Sequence, residues 1–227
     1  LVIVGHVDAG KSTTTGHLLF KLGGLKDREL QKLKEEASRL GKDSFSFAFF
    51  MDKQKEERER GVTISCTTKE FFTDKYHYTI IDAPGHKDFI KNMVTGASTA
   101  NLALILVDAR NGVVEQTRRH SFIADLLGIK HIAVCINKMD LVGYEEDAYE
   151  KVLRQFSEFA SRLENVSELT FVPISALKGD NVVDRSEKMP WYKGPPLLYH
   201  LENVYIGSDA NHVDARFPVQ WVIRPHS

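Results

Sequence analysis

Apolar runs of strand length recur along the chain and alternate with longer segments of helical period. The runs are Leu1–Val4, Tyr76–Ile81, Leu102–Val107, His131–Ile136 and Thr170–Ile174. Among the intervening segments, residues 149–163 carry apolar side chains at spacings that place them on one face of a helix. Continuous apolar strands that alternate with amphipathic helices are typical of a mostly parallel sheet covered on both faces. We therefore predict a doubly wound α/β domain.

One pair of short runs departs from this alternation. Glu70–Thr73 and Tyr76–Tyr78 are separated only by Asp74 and Lys75, and a two-residue polar gap between such runs is typical of a β-hairpin. We therefore predict that one edge strand of the otherwise parallel sheet is antiparallel.

The composition narrows the functional classes. The 30 Lys+Arg and 31 Asp+Glu among 227 residues give a formal net charge of -1, so we expect no direct DNA binding through a long-range basic field. The longest apolar run, Leu102–Val107, is far shorter than the roughly 20 residues that span a bilayer, so we expect no membrane association. Cys66 and Cys135 form no CxxC pair, which favours a reducing, cytoplasmic location. The start at Leu1 without Met indicates a fragment that begins inside its first strand.

A phosphate-binding motif follows the first predicted strand. The segment Gly5-His6-Val7-Asp8-Ala9-Gly10-Lys11-Ser12 matches G-x4-G-K-[ST] and leads into a predicted helix that begins at Thr13. Such a loop presents backbone N–H groups and a helix N-terminus to phosphate, while Lys11 supplies a positive charge and Ser12 a hydroxyl for Mg2+. The alternative is a glycine turn with a surface lysine. We predict that residues 5–13 bind a nucleotide phosphate.

Four further residues fit the hydrolytic side of such a site. Asp82 ends a predicted central strand and is expected to support Mg2+, although it could instead cap the next helix. The Gly85 N–H is placed to sense a γ-phosphate, and Thr63 is expected to bring a hydroxyl to Mg2+ unless it only opens a strand. His86 follows Asp-x-Pro-Gly, so we expect it to orient the attacking water rather than serve as a polar cap. The predicted catalytic residues are therefore His86, Lys11 and Thr63.

Two other segments indicate which base is bound. Asn137-Lys138-Met139-Asp140 follows the strand His131–Ile136, where a loop can reach a base, although a polar turn is the alternative. Asp140 can accept hydrogen bonds from N1–H and the 2-amino group of guanine, whereas adenine would leave this carboxylate unpaired. Ser175-Ala176-Leu177 is expected to add backbone donors near the base oxygen. We therefore predict GTP rather than ATP as the ligand, bound with Mg2+.

These five motifs, in this order, resemble the translation-factor class of regulatory GTPases. Residues 1–98, which include Arg58–Ile64 and Asp82–Met93, resemble elongation factor 1-alpha. Residues 96–227, which include Gln116–Ile123 and Ser175–Asn181, resemble the GTPase subunit of bacterial ATP sulfurylase. The resemblance implies a P-loop NTPase fold with a GTP-binding domain over residues 1–205. Residues 206–227 would be a linker and the first strand of a truncated β-barrel domain.

The divided resemblance leaves the biological process open. The larger part favours sulfate activation, with the ATP sulfurylase catalytic subunit as partner. The alternative is delivery of aminoacyl-tRNA to the ribosome, and a third possibility is an inactive, fused GTP-binding module. Either the chain is an intermediate relative of the two families, or two reading frames are joined near residues 96–99.

Overall fold

The computed structural model describes residues 1–22, 67–84 and 90–207 and the four single positions 217, 219, 221 and 222. These residues form a six-stranded sheet in the order β2-β3-β1-β4-β5-β6. Only β2 and β3 pair antiparallel; the other neighbours are parallel. The strands are β1 (Val2–Gly5), β2 (Thr67–Phe72), β3 (His77–Asp82), β4 (Leu102–Asp108), β5 (His131–Asn137) and β6 (Glu168–Pro173). The predicted fold class is confirmed.

The central strands form the core because they are apolar along their whole length. Every residue of β4 is buried, and in β5 only the first residue is partly exposed. The predicted hairpin is also confirmed, since β2 pairs with β3 from Phe72 opposite His77 to Thr67 opposite Asp82. Phe71 is buried and stacks on Tyr78 with ring centroids 4.6 Å apart. The antiparallel strand therefore closes one edge of the sheet.

In the described parts of the chain, four helices and one 3-10 turn lie between strands, and a fifth helix follows β6. They are α1 (Lys11–Lys21), α2 (Ile90–Ala97), α3 (Glu115–Leu126), the turn η1 (Met139–Val142), α4 (Glu146–Ala160) and α5 (Leu197–Asn203). Helix α4 has acidic residues in its first turn and buries Tyr149, Val152 and Phe156, as its apolar period predicts. It ends at Ala160, before the last apolar residue of the predicted face. None of the helices described is both long enough and apolar enough to cross a membrane.

The strand order places a crevice at one edge of the sheet. From β1 the chain reaches β3 on one side, and β4 then pairs with the other side of β1. In open α/β sheets, ligands bind outside the carboxyl ends of the strands where the order reverses in this way. The loops that follow β1, β3 and β5 all lie at this edge.

The last predicted strand, within residues 216–224, is not found at the positions that the structure describes. Phe217, Val219, Trp221 and Val222 are exposed and belong to no strand. An alternating pattern becomes a strand only when a neighbouring strand supplies hydrogen bonds and a face to pack against. The domain boundary at residues 205 and 206 stays a prediction.

Candidate functional site

The loop after β1 folds tightly enough to expose its backbone to a ligand. The Ala9 N–H donates to the His6 carbonyl at 3.1 Å, and the Thr14 N–H donates to Gly10 at 2.8 Å as α1 begins. Gly10 has φ of +95°, and a Cβ at this position would meet the side-chain amide of Asn137. Only glycine therefore fits between the loop and β5.

Lys11, the first residue of α1, turns its side chain back over this loop. Its Nζ donates to the carbonyls of Gly5 at 3.1 Å and His6 at 3.0 Å, and the residue is buried. Burial lowers the pKa of Lys11, while the charges of Asp82 and Asp8 act in the opposite direction. The ammonium group is thus held at a fixed point above the N-terminus of α1, where an anion is favoured.

Ser12 and Asp82 meet although 70 residues separate them in the sequence. The Ser12 hydroxyl donates to Asp82 Oδ2 at 3.1 Å, and Asp82 is fully buried at the end of β3. A hydroxyl and a carboxylate are the hard oxygen ligands that Mg2+ prefers, directly or through water. This pair of oxygen donors fits Mg2+ beside the phosphate loop. Three other predicted residues, Thr63, Gly85 and His86, lie outside the described residues.

Asn137, the last residue of β5, joins two loops of the site. Its Nδ2 donates to the Ala9 carbonyl at 2.8 Å, and its Oδ1 accepts from the Ala176 N–H at 2.9 Å and the Lys138 N–H at 2.7 Å. The side chain is buried. Its amide therefore braces the phosphate loop against the loop after β6.

Lys138 is fixed by an acidic residue that lies outside the five sequence motifs. Its Nζ lies 2.9 Å from Asp108 Oδ2, at the end of the neighbouring strand β4. Arg110 also binds both oxygens of Asp108, at 3.1 and 2.7 Å. Burial alone would raise the pKa of Asp108, but the hydrogen bonds from Arg110 and Lys138 hold it at about 2. The position of Asp108 at the carboxyl end of a central strand is the signal that could have identified it.

Asp140 and the loop after β6 form the other end of the site. The Ser175 hydroxyl donates to Asp140 Oδ1 at 2.7 Å. Of the three expected backbone donors, the Ser175 N–H already bonds to the Asp180 carbonyl and the Ala176 N–H to Asn137. The Leu177 N–H has no acceptor within the described part of the chain. Leu177 is thus the donor of this segment that remains open to a ligand.

His120 of α3 lies close to the phosphate loop, although its sequence position carries no metal-ligand spacing or motif. It is 1% exposed, and its Nδ1 has no hydrogen-bond partner among the residues that the structure describes. Burial and the nearby charges of Lys11, Arg119 and His6 lower its pKa to about 4. The imidazole is therefore a neutral packing group beside the loop near neutral pH.

A six-stranded, mostly parallel sheet with a G-x4-G-K-S loop after β1 and an N-K-x-D segment after β5 is the arrangement of a P-loop GTPase domain. The chain belongs to the elongation factor Tu GTP-binding domain family, whose model matches residues 1–205. The resemblance to the translation-factor class of GTPases is confirmed.

Relatives of two kinds match this chain. It is 51% identical over 225 residues to an elongation factor 1-alpha of Methanocaldococcus jannaschii, covering 97% of the chain and 53% of that protein. It is 47% identical over 228 residues to a sulfate adenylyltransferase subunit 1 of Bacteroides fragilis, covering 100% and 48%. A bifunctional enzyme CysN/CysC of Mycobacterium tuberculosis is 48% identical over 227 residues, covering 100% and 37%. The chain thus spans about half the length of its relatives, or less.

A solved structure supports the fold. The S. cerevisiae Ski7 GTPase-like domain bound to GTP aligns with a TM-score of 0.72 and 24% sequence identity, over 89% of this chain and 48% of that one. At this identity, the likeness concerns the fold alone.

Proposed function

We propose that this chain binds GTP together with Mg2+ and hydrolyses its γ-phosphate. The observation that carries the proposal is the buried Asn137 side chain, which ties the loop around Lys11 to the loop beside Asp140. The Asn137 side chain thereby fixes the phosphate-binding loop in position relative to the loop that is to bind the base. These loops follow parallel strands at the same edge of the sheet, where a nucleotide can bind across them.

At the phosphate end, the N–H groups of residues 5–13 and the Lys11 ammonium bind the phosphate oxygens. Ser12 and Thr63 would hold Mg2+ through their hydroxyls, and Asp82, which accepts a hydrogen bond from the Ser12 hydroxyl, would support the ion. When bound, Mg2+ neutralises charge on the phosphates. Lys11 is already desolvated and held by two carbonyls, so little rearrangement is needed before it meets an anion.

The hydrolytic step is assigned to the segment that follows Asp82. Gly85 contacts the γ-phosphate through its N–H, and His86 orients the water that attacks the γ-phosphorus. The protein forms no covalent bond in this reaction; it positions the water and stabilises charge. Loss of the γ-phosphate then releases the Gly85 contact.

At the base end, the Asp140 carboxylate accepts the N1–H and 2-amino hydrogens of guanine, and the Leu177 N–H donates to the base oxygen. Lys138, fixed by Asp108, lines the same side. Adenine has an acceptor at N1 and no 2-amino group, so it would leave the carboxylate without hydrogen bonds. This difference predicts strong selection of GTP over ATP.

The base assignment is tested by Asp140→Asn, with Asp147→Asn on the exposed first turn of α4 as the matched control. The substituted amide keeps one acceptor oxygen, but it loses the negative charge and turns an NH2 donor towards a guanine donor, so GDP is expected to bind about 100-fold or more weakly. Titration calorimetry with GDP and ADP measures both affinities. The control should match the parent protein, and an unchanged GDP:ADP preference in Asp140→Asn would refute the base-reading role.

For the biological process, we propose sulfate activation, with the catalytic subunit of a sulfate adenylyltransferase as partner. Relatives named sulfate adenylyltransferase subunit 1 align with the whole chain and support this choice. The relative named elongation factor 1-alpha supports a second candidate, aminoacyl-tRNA delivery to the ribosome. Both kinds of relative align over 97% or more of the chain, and we propose that the chain is an intermediate relative of the two families.

The process is tested by GTP turnover of the purified protein in three settings: alone, with the sulfate adenylyltransferase catalytic subunit and its substrates, and with ribosomes and aminoacyl-tRNA. Stimulation only by the catalytic subunit supports sulfate activation, and stimulation only by ribosomes replaces it with the second candidate. GTP binding without stimulation by either indicates an inactive binding module.

The same proposal assigns residues 1–205 to the GTP-binding domain and residues 206–227 to a linker and the start of a second, β-barrel domain. Both candidate processes place the protein in the cytoplasm. Limited proteolysis tests the boundary, because cleavage should concentrate in the polar segment 207–211 and leave a fragment that still binds GDP.

A further inference from the structure

A second connection joins the two loops at the base end of the site, outside all five sequence motifs. Asp140 lies in η1, and Ser175 lies in the loop after β6; their side chains meet at 2.7 Å. Farther along the same two segments, the Tyr144 hydroxyl donates to Asp180 Oδ2, also at 2.7 Å. These two side-chain contacts add to the bonds nearer the strands, from the Met139 N–H to the Ile174 carbonyl at 3.2 Å and from the Ala176 N–H to Asn137. The contact between Tyr144 and Asp180 involves no predicted site residue.

Tyr144 is fixed at its backbone as well as at its hydroxyl. Its N–H donates to the Met139 carbonyl at 2.8 Å and closes η1, and its carbonyl accepts from Trp191 Nε1 at 2.9 Å. It has φ of +61°, a left-handed conformation that a non-glycine residue adopts only when its surroundings hold it. The turn that carries Asp140 therefore ends at a residue whose backbone conformation is strongly constrained.

Asp180 is fixed on the opposite side. Its carbonyl accepts the Ser175 N–H at 3.1 Å, so the loop between them is closed on itself. Its carboxylate also accepts from the Ser186 hydroxyl at 2.8 Å and from Lys188 Nζ at 3.2 Å. The Asp180 side chain is only 12% exposed. A carboxylate with three donors and little exposure is a rigid anchor for the Tyr144 hydroxyl.

We propose that Tyr144 and Asp180 are positioning residues for guanine recognition, and that their hydrogen bond sets the distance between Asp140 and the Leu177 N–H. The inference rests on the proposed binding of guanine nucleotides. Without this bond, the two loops remain joined at their strand ends through Asp140 and Ser175, through Asn137 and the Ala176 N–H, and through the Met139 N–H and the Ile174 carbonyl. The parts of the loops that carry Tyr144 and Asp180 can then shift about those contacts. Asp140 would then lose its alignment with the 2-amino group, while phosphate binding would change less.

The test compares the affinities of the purified protein for GDP, IDP and ADP by titration calorimetry. IDP lacks the 2-amino group, so the GDP:IDP ratio reports the alignment of Asp140 with that group. Tyr144→Phe removes only the hydroxyl that reaches Asp180. Tyr192→Phe is the matched control, because the Tyr192 hydroxyl bonds to the carbonyls of Phe171 and Pro195 and not to Asp140, Tyr144, Ser175 or Asp180.

Tyr144→Phe is expected to lower the GDP:IDP affinity ratio by about threefold to tenfold, the scale of the net contribution of a typical hydrogen bond. Tyr192→Phe should lower the urea midpoint without changing the ratio. Asp180→Asn keeps an oxygen acceptor for Tyr144, so its GDP:IDP affinity ratio should stay closer to that of the parent than the ratio of Asp180→Ala does.

Two outcomes overturn the inference in different ways. If the parent binds GDP no more tightly than ADP, guanine recognition itself is wrong and the inference falls with it. If the parent prefers GDP but Tyr144→Phe keeps the GDP:IDP ratio within twofold, the inference alone is wrong. If Tyr144→Phe loses the same factor in affinity for GDP and for IDP, the ratio is unchanged and the inference is again wrong, because the hydroxyl then only stabilises the fold.

Discussion

Replacing Asn137 with alanine should damage stability and nucleotide binding together. Asn137→Ala removes the bonds to the Ala9 carbonyl at 2.8 Å and the Ala176 N–H at 2.9 Å, and it leaves both groups without their partner. The net loss for a typical hydrogen bond is about 1 kcal/mol, and a buried group left unpaired costs roughly 1–3 kcal/mol. We expect the free energy of unfolding to fall by about 3 kcal/mol. This is a large share of the roughly 5–15 kcal/mol that stabilises a typical domain.

The affinity for GDP should fall because Asn137 no longer holds the phosphate-binding loop and the base-binding loop in a fixed relative position. We expect GDP to bind about 10- to 100-fold more weakly to Asn137→Ala, which corresponds to roughly half or more of the lost free energy. Urea unfolding without nucleotide gives the stability, and calorimetric titration with GDP gives the affinity. Both measurements use the same preparation, so a misfolded fraction appears as a reduced binding stoichiometry.

Asp125→Ala is a control that separates general destabilisation from the effect on the site. Asp125 is 3% exposed and accepts the Asn165 N–H at 2.7 Å and the Glu164 N–H at 3.3 Å, so its loss should also destabilise the fold. Its GDP affinity should stay within twofold of the parent. The bracing argument is refuted if Asn137→Ala loses less than about 1 kcal/mol of stability, or if the two variants lose the same GDP affinity.

Two other substitutions test the hydrolytic step and the pH dependence. His86→Ala should leave GTP affinity nearly intact and slow stimulated hydrolysis by roughly 100-fold or more, and equal rates in a single-turnover assay would remove His86 from the mechanism. Burial and the charges of Lys11, Arg119 and His6 lower the pKa of His120 to about 4, from an ordinary value of 6.5, so the unfolded chain takes up this proton first. The associated stability is present above pH 6.5 and is lost towards pH 4, by up to about 3 kcal/mol. The difference between the free energies of unfolding at pH 7 and at pH 4.5 should therefore be smaller in His120→Phe than in the parent. If the two proteins show the same difference, the pH dependence does not arise from His120.

Much of the fold was predictable because its signals are local. Runs such as Leu102–Val107 are apolar throughout, which suits strands covered on both faces, and the observed β4 adds only Asp108. The meeting of Ser12 with Asp82 was also predictable, since both follow parallel strands whose carboxyl ends share one edge. The sequence therefore predicts that these two residues meet at one edge of the sheet.

The internal bracing of the site was not predictable, because it depends on contacts between distant residues. Asn137 was expected to take part in base selection, and that role stays a prediction; nothing in the sequence indicated that its amide also bonds to Ala9 and Ala176, 128 and 39 residues away. The same bond occupies the Ala176 N–H, which was expected to face the base oxygen. A pattern identifies which groups can form hydrogen bonds, and only packing decides which partners they take.

These contacts separate affinity from hydrolysis. Asn137, Tyr144 and Asp180 act on loops that follow β5 and β6, while His86 follows β3 and has its proposed role at the γ-phosphate. Substitutions at Asn137, Tyr144 or Asp180 alter the positions of the loops that are to bind guanine and phosphate. Such substitutions should therefore change mainly the affinity for the nucleotide. A change at His86 alters only the position of water, so it should appear in the rate of hydrolysis. A partner that stimulates turnover without changing GDP affinity would therefore act on the segment after β3 and not on the braced loops.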